Sequence, residues 1–408
     1  MIWYRRAQWL LDQCQARFGE MFTLKIANEG EWVLTSDPQT IKQVFTGDPR
    51  LLHAGEANAI LLPVLGPDSV LLLDDAAHLR QRKLMLPAFH GERMQRYGAL
   101  MAEIAASEIE RWPLGEPYPL RPRMQALTLE VILRAVFGVS TGARMDELRA
   151  ELRRLLDIVT NPLGGIALVT LGPERVARMG RFQREIDRVN RPIYEEIADR
   201  RSASDLAERD DIMSLLLQAT HEDGSSMSDS ELRDELVTLL VAGHETTANA
   251  LSWAVERLCR HPERMHRLTE EVRAGQDTYL QATIQETLRL RPVISIVLRR
   301  LQEPMELGGR LLPAGASIVP AIHLVHRRAD IYPEPDEFRP ERFIEAEGGR
   351  APGTYTWIPF GGGIHRCLGA AFAQFEMEVV LRELVLRRTL APSRPGSERV
   401  YRRAITET

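Results

Sequence analysis

The chain has 408 residues, a net charge of −5, 44% hydrophobic and 27% charged residues, a balance that builds a large buried core and leaves no basic field for nucleic acid. Its three cysteines, Cys14, Cys259 and Cys367, have no paired spacing; they argue against a disulfide framework and fit a reducing compartment. Length alone predicts two or more domains.

Taken in chain order, Trp3 to Phe18 reads as a first helix, and Arg5, Arg6 and Asp12 break any signal-peptide layout there. Met21 to Thr35 alternates like strands, with Phe22, Leu24 and Ile26 on one face and Trp32 and Leu34 resuming it. The most apolar stretch, Ile60 to Leu73, is interrupted by Pro63, Gly66 and Pro67, and no run approaches the ~18–20 apolar residues of a membrane span. From about Asp74 to Leu386 helical periodicity dominates, punctuated by Trp112-Pro113, Asn161-Pro162 and His261-Pro262. Asp199 to Asp211 reads as a solvated charged loop.

Ser228 to Arg260 is the clearest helix. Ser228 and Glu231 have capping-box spacing and Pro262 closes the far end. Leu232, Leu236, Leu239, Gly243, Thr247, Leu251, Ala254 and Leu258 form one inward stripe. In its middle the chain reads AGHETT, Ala242 to Thr247. Gly243 there costs about 1 kcal/mol relative to alanine, and Thr246-Thr247 compete for backbone carbonyls. Local rules broken inside a good helix point to a functional kink. Further on, Glu286 and Arg289 in QETLRLRP share a helical face, and Ile294 to Val319 is strand-like, with a hairpin turn at Leu307, Gly308 and Gly309.

Near the end stands FGGGIHRCLG, residues 360 to 369, followed by a helical pattern from Leu368 to Arg388. Cys367 is thereby expected at a helix start, where free N–H groups and the helix dipole lower a thiol's pKa. A thiolate is the metal-binding form. Gly361, Gly362 and Gly363 would bring N–H groups against the sulfur, and Gly369 would leave room for a flat group. A buried structural cysteine and half a zinc site with His365 are the alternatives.

The full decapeptide, with Phe360 and Gly361 leading, His365 two before the cysteine and Gly369 two after, resembles the cysteine loop of the cytochrome P-450 family of haem-thiolate monooxygenases. The layout resembles that family over nearly the whole chain, apart from a short connection between Glu271 and Tyr279. The resemblance overrides the length prior. It implies one domain over 1–408, mainly α with small β-sheets, with haem b between a long distal helix and a proximal cysteine-loop helix. Cys367 would be the iron ligand. AGHETT resembles the oxygen-activation motif: Ala242 and Gly243 would open a groove for dioxygen, Thr246 would meet it, and Glu245 would relay protons. His244 falls at a variable position and reads as structural. Glu286, Arg289 and Arg342 of FRPERF resemble the scaffold network of the proximal side. His78 and Arg82 in HLRQR, with Arg299 and His365, resemble the propionate-binding groups.

By the same resemblance, substrate contacts come from Leu61 to Leu73, from Thr238, Val241 and Ala242, and from Val293 to Val297, including Ile294 and Val297. These are nearly all apolar, so the expected substrate is a hydrophobic terpenoid, steroid or fatty acid. Asn161 to Gly172 suits a mobile lid. Electrons would come from a small acidic ferredoxin and its reductase, steered by Arg80, Lys83 and Arg366. A monomer in the cytoplasm is expected, with no anchor in this stretch, although a leader before Met1 and a longer C-terminal strand pair after Arg402 to Thr408 fit the family layout. A peroxide-driven enzyme, a haem-thiolate sensor and a haem-free helical binding protein are the rival functions.

Overall fold

Helical periodicity prevails over most of the chain, and strands form only where the pattern alternates. The computed structural model describes residues 6–26, 29–89, 91, 93–138, 142–160, 171–396, 398–403 and 405–408. In order they form α1 (Ala7–Phe18), β1 (Met21–Ile26), β2 (Gly30–Thr35), α2 (Pro38–Thr46), β3 (Leu52–His53), α3 (Leu62–Leu65), α4 (Asp75–Met85), α5 (Arg93–Glu110), α6 (Leu120–Phe137) and α7 (Ala143–Thr160). Next come α8 (Pro173–Ala177), α9 (Gly180–Ser202), α10 (Ile212–Gln218), α11 (Asp229–Arg260), α12 (Pro262–Arg273) and α13 (Thr278–Leu290). The C-terminal part holds β4 (Arg299–Leu301), β5 (Met305–Leu307), β6 (Arg310–Leu312), β7 (Ser317–Pro320), α14 (Ile322–Val325), α15 (Ala370–Arg387), β8 (Arg402–Arg403) and β9 (Thr406–Glu407).

The main sheet has the order β1-β2-β7-β4-β3. β1 pairs antiparallel with β2, placing Phe22 opposite Leu34, and β2 runs parallel to β7 with Leu34 opposite Val319. β4 lies antiparallel to β7 with Arg299 opposite Ile318, so a strand delivers the Arg299 guanidinium to the interior. Gly308 and Gly309, at φ of 56° and 72°, make the tight turn between β5 and β6. That is the paired left-handed geometry that two-residue hairpins need.

α11 is the longest described helix, 32 residues, or about 48 Å. Ser228 caps it through a reciprocal capping box with Glu231, and Leu232, Leu236, Leu251, Ala254 and Leu258 are fully buried along it. It packs chiefly on α6, and also on α12, α13 and α15. The helix continues unbroken through Ala242–Thr247. The local conflict foreseen there is met without a break in the helix: the Thr246 hydroxyl donates to the Ala242 carbonyl at 2.6 Å.

Other expectations shift. The first helix starts at Ala7 among the described residues. Asp199 to Asp211 is not all solvated loop: Asp211 is buried, caps α10 by accepting from the Ser214 N–H, and pairs with buried Arg200 at 2.7 Å. A charged run hides such a pair because its partners come from neighbouring turns. The lid stretch, apart from Leu171 and Gly172, lies outside the described residues.

Candidate functional site

The cysteine loop is closed by its own backbone, the Cys367 N–H donating to the Phe360 carbonyl at 2.9 Å. Gly361 and Gly363 have φ of 67° and 69°, positions that side chains resist. A Cβ on Gly362 would lie 2.2 Å from the Phe45 ring of α2, so this glycine admits the neighbouring helix. Trp357 donates from Nε1 to the Gln285 carbonyl of α13 at 3.1 Å. His326 accepts the Ile358 N–H at 2.9 Å and meets the Arg289 carbonyl at 3.1 Å. These two ties, both to α13, were not visible in the sequence, where neither His326 nor Trp357 belongs to a pattern.

Cys367 stands ahead of its helix, since α15 begins at Ala370 with Gly369 as N-cap. Its thiol is pushed up rather than down, because burial outweighs the Gly369 N–H and the nearby Arg82 and Arg366 charges. The expectation of a thiolate held by helix dipole and several glycine amides is corrected accordingly: Gly369 supplies the one backbone hydrogen bond that lowers it. Cys367 is crowded by protein yet accessible as a residue. A Cβ on Gly369 would meet nothing within 4 Å.

Beside the loop, four basic groups converge. The His78 and His365 rings stack at 3.8 Å, which turns His365 toward α4 and not toward a shared ion with Cys367. Arg299 is buried, donates to the Leu298 and Gly362 carbonyls at 2.7 and 3.3 Å, and lies over the Phe45 ring. Burial lowers its pKa to about 10. Arg82 has neither hydrogen bond nor ion pair among the described residues, and burial depresses it too. Burial first, then repulsion from Arg82, takes His78 down to about 4, and the same causes, with Arg299 foremost among the charges, hold His365 still lower. His78 Nδ1 is buried without a partner. The nearest acid, Asp74, lies 3.9 Å from His365 and is engaged by the Ala54, Gly55 and Glu56 N–H groups at 2.8, 2.8 and 2.9 Å.

The scaffold trio assembles. Glu286 pairs with Arg289 at 2.7 Å, both fully buried, and accepts from Arg342 Nε at 3.1 Å and from the Arg339 N–H at 2.7 Å. Arg289 also donates to the His326, Pro335 and Glu337 carbonyls, and Arg342 to those of Pro333 and Glu334. With all five Arg289 donors used, the buried pair is tolerable.

Midway along α11, Ala242 is exposed and Val241 and Thr246 partly so, while His244, Glu245 and Thr247 are buried. A residue at the centre of an interior helix is accessible only if it borders an internal space. A Cβ on Gly243 would lie 3.0 Å from Ile132 of α6, so this glycine lets the two helices approach. Glu245 is held by Arg121, by Gln125 Nε2 at 2.9 Å and by Asn249 Nδ2 at 3.5 Å, and Arg121 Nε also reaches Asn249 at 2.9 Å. Arg121 and Gln125 come from α6, about 120 residues earlier, and nothing in their local sequence marked them. His244 is structural, its Nε2 against the Gln125 carbonyl at 3.0 Å.

Among the expected pocket residues, Ile294 and Val297 are partly exposed. Thr238 is not a lining residue: it is 3% exposed and bonded to Ser69 Oγ and the Asp234 carbonyl. Two of the three steering cations are also occupied. Arg80 meets Asp223 at 3.4 Å and Ser225 at 3.0 Å, and Lys83 meets Glu222 at 2.7 Å, whereas Arg366 is exposed and unpaired among the described residues.

Comparison with known proteins agrees with this geometry. The family model for cytochrome P450 matches residues 1–399. Cytochrome P450 135B1 of Mycobacterium tuberculosis is 45% identical over 395 residues, covering 95% of this chain and 82% of that protein. Cytochrome P450 135A1 of the same species is 39% identical, covering 97% and 87%. Among solved structures, retinoic acid-bound cyanobacterial CYP120A1 superposes with a TM-score of 0.79 at 25% identity, covering 92% of this chain and 86% of that one. The haem domain of cytochrome P450DA gives 0.83 at 22% identity, covering 98% and 90%, a likeness of fold.

The chain therefore belongs to the cytochrome P450 family. It is a haem-thiolate monooxygenase, an oxidoreductase whose cofactor is haem b. The side chains around Cys367 fit that group. Four basic groups surround a spot short of negative charge, which suits two carboxylates, and an accessible cysteine stands beside space that the Gly369 side chain leaves free.

Proposed function

We propose that the enzyme hydroxylates a hydrophobic, weakly functionalised small molecule, of the terpenoid, steroid or fatty-acid kind, with electrons from a small acidic ferredoxin and its reductase. The observation that carries the reading is the accessible, apolar centre of α11, where Ala242 and Val241 border the internal space and Ile294 and Val297 are partly exposed. Such a lining favours ligands by burial of apolar area.

Bound haem supplies the redox chemistry that activates dioxygen. Cys367 would hold its iron, the metal offsetting the burial that raises the thiol, and the Gly369 N–H would steady the sulfur charge. His78, Arg82, Arg299 and His365 would take the propionates. Glu245 would pass protons through its carboxylate oxygens, with Arg121, 24% exposed at its side chain, as the link toward solvent. Thr246, donating to Ala242, keeps its oxygen lone pairs free to accept at the accessible face. Glu286, Arg289 and Arg342 would brace the cysteine loop through His326 and Trp357.

Turnover of candidate substrates with NADPH, ferredoxin and reductase, set beside turnover with hydrogen peroxide, tests this. Hydroxylated product in the first system, with Glu245→Gln lowering kcat about 10²-fold there, is expected. Product only with peroxide, or none with either while haem loads normally, would overturn it.

A further inference from the structure

The first three turns of α11 grip part of the apolar stretch that the sequence offered for substrate contacts. Arg233 donates to the Leu65 and Val64 carbonyls at 3.0 and 3.3 Å. Asp234 accepts the Asp68 N–H at 2.9 Å, Thr238 meets Ser69 Oγ at 2.7 Å, and Glu235 accepts the Val70 N–H at 2.8 Å. A Cβ on Gly66, whose φ is 88°, would strike the Asp234 carboxylate at 2.2 Å, so the contact is close. Beyond Val70 the chain runs to Asp74 and into α4, the helix of His78 and Arg82.

Glu235 is the anomalous member of this grip. It is fully buried, its Oε2 has no hydrogen-bond partner among the described residues, and the nearest acids are Asp234 and Asp68. The cations on the elements around it are spent elsewhere: Arg233 on Asp234, Asn190 and the two carbonyls, Arg80 on Asp223 and Ser225. Glu231, on the same helix, is engaged in the capping box, and Asp68 accepts from Ser230. From α4, Gln81 lies against the carboxyl, although its Nε2 forms no well-shaped hydrogen bond. Burial, with no cation to answer it, raises the Glu235 pKa to about 8.

We propose that Glu235 is a positioning residue that, in its neutral form, latches the segment 66–73 to α11 and α4, and that its ionisation releases this segment from the border of the site. Release also breaks the bonds of Asp234 to Asp68 and of Thr238 to Ser69, which are made to the same segment. Linkage gives the sign. The closed form holds the proton to about pH 8, whereas a solvated glutamate loses it near pH 4.3. Closure is therefore fully favoured below the lower value, weakens as pH rises between the two, and changes no further above the upper one.

The test is amide exchange on the haem-loaded protein, reading the peptide that contains Asp68 and Val70 and correcting for the intrinsic rate at each pH. Protection of this peptide should fall about tenfold per pH unit from about pH 5.5 to about 7.5 and level off above about 8, while peptides from the centre of α15 stay constant. In Glu235→Gln, which keeps shape without charge, protection should stay flat over the same range. The rate of imidazole binding to the ferric haem, counted per neutral imidazole, should rise over that range in the wild type and not in the variant. Flat protection in the wild type, or an equal fall in Glu235→Gln, would overturn the proposal. If the variant does not fold, the wild-type profile against the α15 peptides decides alone.

Discussion

Cys367 and Glu245 show how single side chains acquire their character from distant partners. The thiol is raised by burial and relieved by only one amide and two nearby arginines, so a metal is the natural means of keeping its charge. Glu245 is buried and has Arg121 as its cation partner. Arg121→Ala would remove that charge and leave only the amides of Gln125 and Asn249. We expect a stability loss of about 1.5–3 kcal/mol together with a lower kcat and little change in KM, measured by denaturant unfolding and steady-state kinetics. A variant with unchanged kcat would show that Arg121 is only structural.

At the scale of elements, α13 is the organiser of the proximal side. Glu286 and Arg289 on it, with Arg342, form a closed set of bonds, and His326 and Trp357 carry its position into the cysteine loop. Glu286→Ala would leave two arginines without their carboxylate in a dry interior, a cost of about 3–5 kcal/mol. Haem content per folded protein, read from absorbance, should fall to background, and a normally loaded variant would contradict the scaffold role. Much of this was legible in the sequence because it is local: the capping box of α11, the Gly308-Gly309 hairpin, the Glu286–Arg289 spacing and the decapeptide around Cys367 all declare themselves within ten residues. What stayed hidden joins residues far apart. Arg121 with Glu245, Asp74 with the turn at Ala54 to Glu56, Phe45 against Gly362, and α11 on the segment 64–70 have no periodicity to betray them. Thr238 belongs with these, since its burial against Ser69 shows only once the segment it faces is in place.

Over the whole molecule, a net charge of −5 cannot attract an acidic electron carrier, so any steering must be local. Glu222 and Asp223 neutralise Lys83 and Arg80, which leaves Arg366, of the three steering cations, exposed and unpaired among the described residues. Arg366→Glu should slow association of an acidic ferredoxin and flatten its salt dependence, while Lys83→Ala changes it little; equal effects of the two in stopped-flow association would contradict this. The central claim is that the sulfur of Cys367 ligates haem iron at the meeting of α11, α15 and the basic cluster. The absorption spectrum of the reduced, carbon monoxide-bound protein tests it most directly. The wild type should give the band of thiolate ligation and Cys367→Ser should lose it while retaining haem, whereas a folded, haem-loaded wild type without that band would contradict the assignment.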